Sequence, residues 1–246
     1  MLKWAIILFV RPTLSVIVDL ALIRSSALFS GLSDNALRHI AGLATLQRLS
    51  VDQFLFHQDD FLDYVWVMGK GRVQLLQFSA EGHQVILHIA GPGAEVGLVP
   101  ALTQTPASVS ARAMEYSEIW AWPASYFKTF MQAQPALSLN AIAILGEHIR
   151  LYQDRIRELT TERVERRLAR TLLRLAQQLG KRTSEGVLID LPLSRQNLAE
   201  MSGTTLYTAS RILRAWEEVG IVSSGRERVV ITSPHKLVII AEDRQR

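Results

Sequence analysis

Among the 246 residues of this chain there is no cysteine. That absence excludes a disulfide framework, a thiolate zinc site, a cysteine-ligated iron–sulfur cluster and a cysteine nucleophile. Charged residues are also few, 20% against 48% hydrophobic. This balance excludes a globally disordered chain and supplies a sizeable core. A membrane helix needs about 20 predominantly apolar residues. The nearest approach, residues 1–23, is broken by Arg11-Pro12 and by Asp19. Lys3 followed by Trp4 to Val10 imitates the start of a signal peptide, with Ser25-Ser26-Ala27 as a weak cleavage site. The charges, however, fall inside the stretch that should be apolar. We read residues 1–24 as an apolar extension, either an amphipathic helix or sequence translated from upstream of the true start. No membrane partner is expected.

What is present is unevenly distributed. The length allows one large domain or two small ones, at about 100–200 residues each. Net charge is +4 overall, but residues 1–145 carry 9 Lys/Arg and 10 Asp/Glu, whereas residues 146–246 carry 18 and 13. A near-neutral first part and a basic second part fit a sensing or scaffold module joined to one that binds a polyanion.

Residues 28–43 show helical spacing, with Ser33 as N-cap and Ala36, Leu37 and Ile40 on one face. After Arg48 the texture changes to short strand-like runs: QFLFHQ, DYVWVMG, GRVQLLQFS, HQVILHIA, SVSARAM and EIWAW. Turn signals at Gly69-Lys70-Gly71, Ala80-Glu81-Gly82 and Gly91-Pro92-Gly93 separate them. Strands spaced by about ten residues predict an antiparallel β-roll or jelly roll over 25–133, whose apolar interior suits a small ligand.

Residues 134–160 read as one long helix. Ile142, Leu145, Ile149, Tyr152, Ile156 and Leu159 follow at alternating spacings of three and four, an a/d seam flanked by Arg150, Arg155, Arg157 and Glu158. The seam predicts a homodimer. The bland alternative is a helix packed on its own core.

The basic part, 161–246, opens with an amphipathic helix, TERVERRLARTLLRLAQQ, then a loop, KRTSEG, and a short strand, VLIDLPL. Ser194 caps a helix over Arg195 to Met201, and Gly203 stands four residues after Ala199. That is helix-turn-helix spacing, with the glycine permitting a left-handed turn. Thr204 or Thr205 caps a second helix whose apolar face is Ala209, Ile212, Leu213 and Trp216. Its other face carries Thr205, Leu206, Tyr207, Ser210, Arg211 and Arg214, the kind of surface that enters a major groove. GIVSS and RVVIT flank Ser224-Gly225-Arg226-Glu227 as a hairpin wing, bringing Arg226 and Arg228 near phosphate. The pattern favours double-stranded DNA over a module of merely solvated arginines.

A β-roll, a heptad helix, RxLARTLLRLAQQ and LSRQNLAEMSGTTLYTASRILRAWEEVGIV together resemble the Crp/Fnr family of bacterial transcription regulators, over residues 28–232. Gly69, Gly71, Gly82, Gly93 and Gly97 fall where the family places its strand turns. The resemblance implies an α+β fold: an N-terminal cyclic-nucleotide-binding-like roll, a dimerisation helix and a C-terminal winged helix-turn-helix. It implies a cytoplasmic homodimer on an inverted-repeat promoter site that engages RNA polymerase and typically activates transcription when an effector is bound. Arg211 falls on the recognition-helix arginine that reads guanine, a bidentate contact to O6 and N7. Ser210 matches the Ser-Arg pair of the Fnr branch, but Tyr207 stands where the family has glutamate and Leu206 where the Crp branch has arginine. Thr205, Tyr207 and Ser210 are therefore the candidates for the other base contacts. Arg195, Thr204, Arg214, Arg226 and Arg228 are the candidates for phosphate.

The effector region departs further. Gly97-Leu98 replaces the Gly-Glu pair of cyclic-AMP-binding members, Ala107-Ser108 replaces their Arg-Ser, and Tyr152-Gln153 replaces the Thr-Ser of the dimer helix. Without its arginine a cyclic phosphate loses its strongest charge-assisted partner, so cyclic AMP is not expected to be the effector. Some cysteine-free relatives hold haem. His57, His83, His88 or His148 could serve as axial ligand, though each also reads as an ordinary strand or surface histidine. Two rival readings remain: a metal-dependent jelly-roll enzyme using His83, His88 and Glu95, and a sensor or scaffold that has lost DNA binding. Against the enzyme, residues five apart on a strand point to opposite faces, so His83 and His88 would not converge.

Overall fold

The computed structural model describes residues 20–79, 82 and 84–242. Most of the apolar extension and one of the candidate histidines, His83, lie outside them. The described end of the extension forms helix α1 (Leu20–Ser25), and its Ile23 is buried in the core of the roll. Residues 20–24 thus pack as part of the roll.

The single helical stretch expected over 28–43 is two pieces, a 3-10 turn (Ala27–Phe29) and α2 (Asp34–Gly42). Gly31, at φ +74°, turns the chain between them. Ser33 caps α2, accepting from the Ala36 amide at 3.3 Å. Eight strands follow: β1 (Thr45–Leu49), β2 (Phe54–Phe56), β3 (Tyr64–Lys70), β4 (Val73–Phe78), β5 (Gln84–Ala90), β6 (Glu95–Val96), β7 (Ser110–Ala113) and β8 (Ser117–Pro123). They form two antiparallel sheets, β1-β8-β3-β6 and β2-β7-β4-β5, around one core. Six of the eight match the apolar runs in the sequence. β1 carries an exposed Arg48 and β6 is two residues long, so neither gives an alternation signal.

Helices α3 (Leu98–Thr103) and α4 (Ala124–Ala133) complete the roll. Trp122 joins its layers. The indole donates to the Ile40 carbonyl of α2 at 2.8 Å, and the ring lies against Phe29 and Phe127 at 5.8 and 6.3 Å. Helix α5 (Pro135–Thr161) starts on a proline, whose missing N–H costs nothing at that position. Leu137 and Ala141 bury its first turns in the roll, and Asn140 donates to the carbonyls of Leu28 and Ser30 at 3.0 and 2.7 Å.

The C-terminal unit comprises α6 (Val164–Leu179), β9 (Gly180–Thr183), β10 (Gly186–Ile189), α7 (Arg195–Ser202), α8 (Leu206–Glu218), β11 (Val222–Gly225), β12 (Arg228–Ile231) and α9 (Pro234–Glu242). Its core gathers Leu168, Leu172 and Leu175 of α6 with Leu198, Leu213, Trp216, Val229 and Ile231. The segment KRTSEG, expected as a loop, is largely strand. Lys181 to Thr183 pair with β10, closing a sheet of order β11-β12-β10-β9. β9 is a charged, fully exposed edge, which is why no apolar pattern marks it. The fold is α+β, a β-roll followed by a long helix and a winged helix-turn-helix.

Trp122→Ala removes a ring from a closed aromatic cluster. It should cost about 3–5 kcal/mol in urea unfolding of the roll, with the C-terminal unit little affected.

Candidate nucleic-acid interface and effector site

Both helices of the helix-turn-helix are capped by their own sequence. Ser194 accepts from the Asn197 amide at 3.0 Å, while the Asn197 side chain accepts from the Ser194 amide at 3.0 Å, a reciprocal capping box. The turn is Gly203, at φ +59°, and a methyl group there would meet Leu159 of α5 at 2.5 Å. Two constraints therefore fix this glycine: the left-handed backbone and the leucine above it.

Along α8, Ala209, Ile212, Leu213 and Trp216 are buried, as the apolar periodicity requires. Leu206, Tyr207, Arg211 and Arg214 point out, Tyr207 with 77% of its surface exposed. Arg211 and Arg214 form no ion pair among the described residues, so both guanidiniums are available to a base edge or a phosphate. Ser210 is half-buried beside them. Thr205 is occupied differently from the base contact expected of it. Its hydroxyl accepts from the Thr208 amide at 3.2 Å and donates to the Thr208 hydroxyl at 3.0 Å, capping the helix.

The phosphate candidates separate into two groups. Arg214 and Arg226, the latter at the tip of the wing, are exposed without an ion pair among the described residues. Arg228 is paired with Glu185 at 2.9 Å. Arg195 donates to Ser224 at 3.1 Å and lies 3.4 Å from Glu217, tying α7 to α8 and β11. Thr204 lies half-buried in the turn, its amide bonded to the Ala199 carbonyl at 3.0 Å. The roll also touches this unit: Gln84 donates to Glu200 of α7 at 2.8 Å, and Arg72, paired with Glu115 at 2.7 Å, approaches Asp190 at 3.9 Å.

The α5 seam is bare in this chain. Ile142, Ile149 and Ile156 are 65%, 57% and 62% exposed. Tyr152 and Leu159 are exposed beside them, and Leu145 is half-buried. Leu139, not included in the sequence reading, extends the stripe by one step.

In the effector region, Gly97 sits at φ +73° with the Trp66 ring 2.9 Å from where a Cβ would stand. Leu98 and Ala107 are buried in the core, and Ser108 faces solvent, its carbonyl accepting from Gln77 at 2.9 Å. None carries a charge. The polar groups stand elsewhere, where β5 and β6 meet α5. His148 Nε2 lies 3.8 Å from Glu95, and the His88 and Tyr152 rings flank His148 at 5.6 and 6.5 Å. Burial, and then the neighbouring His148, push His88 down to about 4. Burial raises the Glu95 carboxyl against the opposing pull of its own backbone hydrogen bond and of His148. It also raises the Tyr152 phenol, with Glu95 adding to the effect. The sequence reading grouped His88 with Glu95 as possible metal ligands but did not join them to His148 and Tyr152. The four-residue spacing of His148 and Tyr152, which puts both on one helical face, was the available signal. His57 stacks on Phe54 at 4.3 Å and is exposed, away from this cluster. No three His, Asp or Glu among the described residues are grouped to hold a metal ion, and no helix among them is long and apolar enough to cross a membrane.

Comparison with known proteins gives two family-model matches: a cyclic nucleotide-binding domain over residues 46–134 and a Crp-like helix-turn-helix domain over 166–239. The chain is 27% identical over 220 residues to the "Cyclic AMP receptor protein" of Thermus thermophilus, covering 89% of this chain and 98% of that protein. Among solved structures, FixK2 from Bradyrhizobium japonicum superposes with a TM-score of 0.70 at 22% identity, covering 80% of this chain and 96% of that one. A CooA variant from Carboxydothermus hydrogenoformans gives 0.69 at 23%, covering 86% and 92%. Other curated relatives are the "Global nitrogen regulator" of Synechococcus elongatus, 23% identical over 193 residues, and the "cAMP-activated global transcriptional regulator CRP" of Escherichia coli, 27% identical over 183.

The His88 environment sets a pH dependence. The unfolded chain takes this proton near 6.5 and the folded chain only near 4, so between those values His88 makes stability fall as pH falls. Glu95, raised by burial, has the opposite slope. His88→Gln should therefore lose less stability on acidification than the wild type. Urea midpoints across that window, with histidine titration by NMR, check it; a His88 midpoint near 6.5 would sink the argument.

Proposed function

Because the chain belongs to the Crp/Fnr family of transcription regulators, we propose that it acts as a homodimer that reads an inverted-repeat promoter site with α8. The observation that carries this is the pairing of two unsatisfied surfaces in one chain: the bare apolar stripe of α5 and the exposed Tyr207–Arg211–Arg214 face. Two copies joined along α5 bury the stripe and present two recognition helices about 34 Å apart, one turn of duplex. Arg211 reads a guanine through O6 and N7. Tyr207, standing where an acidic residue would accept from cytosine, offers a ring and a hydroxyl instead, so the half-site differs at that position. Arg214 and Arg226 hold phosphates directly, and Arg195 and Arg228 join after releasing Glu217 and Glu185.

The effector is a ligand other than cyclic AMP, bound where the roll meets α5. Leu98 and Ala107 offer a cyclic phosphate no cation, whereas His88, Glu95, His148 and Tyr152 line the junction with donors and acceptors. Were the ligand a haem, His88 or His148 would hold its iron, and a visible band would report it. Binding there shifts α5 and so both recognition helices, in the cytoplasm, allowing contact with RNA polymerase and activation.

Selection of duplexes from a random pool by the purified protein should enrich an inverted repeat. Arg211→Ala should lose one base preference and about 1–3 kcal/mol of specific affinity. Ile149→Asp should sediment as a monomer and lose the repeat. A pool with no enriched repeat, under conditions where the protein is folded and dimeric, would overturn the reading.

A further inference from the structure

Arg167 of α6 is 8% exposed, and among the described residues it forms no ion pair. A buried cation without a carboxylate is costly unless its donors are otherwise satisfied. Here three main-chain carbonyls satisfy them. Nη1 donates to Glu162 at 2.8 Å, Nε to Ser202 at 3.0 Å and Nη2 to Gly203 at 3.0 Å. Glu162 is the C-cap of α5, and Ser202 and Gly203 end α7. One guanidinium therefore caps the C-terminal ends of two helices, where the aligned peptide dipoles present their negative poles. Its planar fork is needed to reach carbonyls from both.

Other contacts converge on the same joint. Leu159, the last seam residue, covers Gly203. Glu158, 2% exposed on α5, is paired with Arg174 of α6 at 2.6 Å, and Glu162 with Arg170 at 3.0 Å. The last turn of the dimer helix is thereby bound both to α6 and to the turn from which the recognition helix starts.

We propose that Arg167 is a positioning residue for DNA recognition, fixing the direction of α8 relative to the seam of α5 and hence the spacing at which two half-sites are read. The inference rests on the dimeric reading above. It assigns Arg167 no contact with DNA.

The test uses full-length protein and inverted repeats of one half-site sequence, at the selected spacing and at spacings shifted by about two base pairs either way. The wild type should prefer the selected spacing by about tenfold or more. In Arg167→Lys, which keeps the charge but not the fork, that ratio should fall toward one while the base preference set by Arg211 is retained. A variant that loses affinity in step with thermal stability and keeps the spacing ratio overturns the proposal, because the role is then structural only. Arg174→Gln, on a half-exposed side chain of the same joint, provides the decision if Arg167→Lys does not fold: it should lower the ratio, and an unchanged ratio counts against the proposal. A wild type indifferent to spacing points instead to failure of the dimeric reading.

Discussion

Helix α5 is buried at its two ends and bare between them. At the first end Leu137 and Ala141 are in the core of the roll, and at the other Glu158 is enclosed by arginines while Leu159 lies over Gly203. Between them Ile142, Ile149 and Ile156 face water. A contiguous apolar stripe of this kind marks an association surface, because leaving it exposed forfeits the burial that drives folding and assembly. The stripe lies on an element that runs from the roll to the turn of the helix-turn-helix. On the dimeric reading proposed above, a change in how two copies meet along it would be felt at both ends, which would link a signal in the roll to a reading of DNA.

The roll contributes a different constraint. A site for an anionic ligand needs a fixed cation, and at Gly97-Leu98 and Ala107-Ser108 the chain supplies apolar or neutral groups. The charge-capable groups at the roll–helix junction are two imidazoles, a carboxyl raised by burial and a phenol. Burial favours the neutral form of His88, Glu95 and Tyr152 alike. The junction is rich in hydrogen-bonding groups, but none of the four is the fixed cation that a phosphate requires.

Much of this was legible in the sequence, and the illegible parts share a cause. The strands with apolar alternation, the seam, both caps and the wing were readable because local chemistry dictates each: Ser194 and Thr205 supply cap oxygens, and Gly203 permits the left-handed turn. β9 escaped notice because an exposed edge strand has no buried face to mark it. Gly31 divided an expected helix because a positive φ overrides apolar spacing. The role that periodicity could not assign, Arg195 as a strut to Glu217 and Ser224, depends on partners fixed only by the tertiary fold.

Among the described residues the two buried charged residues, Glu158 and Arg167, lie at one joint. Glu158, Glu162, Arg155, Arg167, Arg170 and Arg174 gather where α5 gives way to α6, while the roll core nearby is built of aliphatic and aromatic groups. Apolar packing there would hold the helices together with less desolvation, but over a range of angles. Hydrogen bonds to a planar guanidinium hold over a narrow range, since they weaken steeply away from alignment. Burial, with like charges from Arg174 and Arg167 working against the attraction of Glu158, lowers Arg155 to about 10, so the crowding of arginines carries a cost. A joint built of groups that are expensive to bury and strict in geometry is one in which orientation, more than adhesion, is the property being held. That property is what the proposed dimeric reading requires, in which two recognition helices meet successive turns of one duplex.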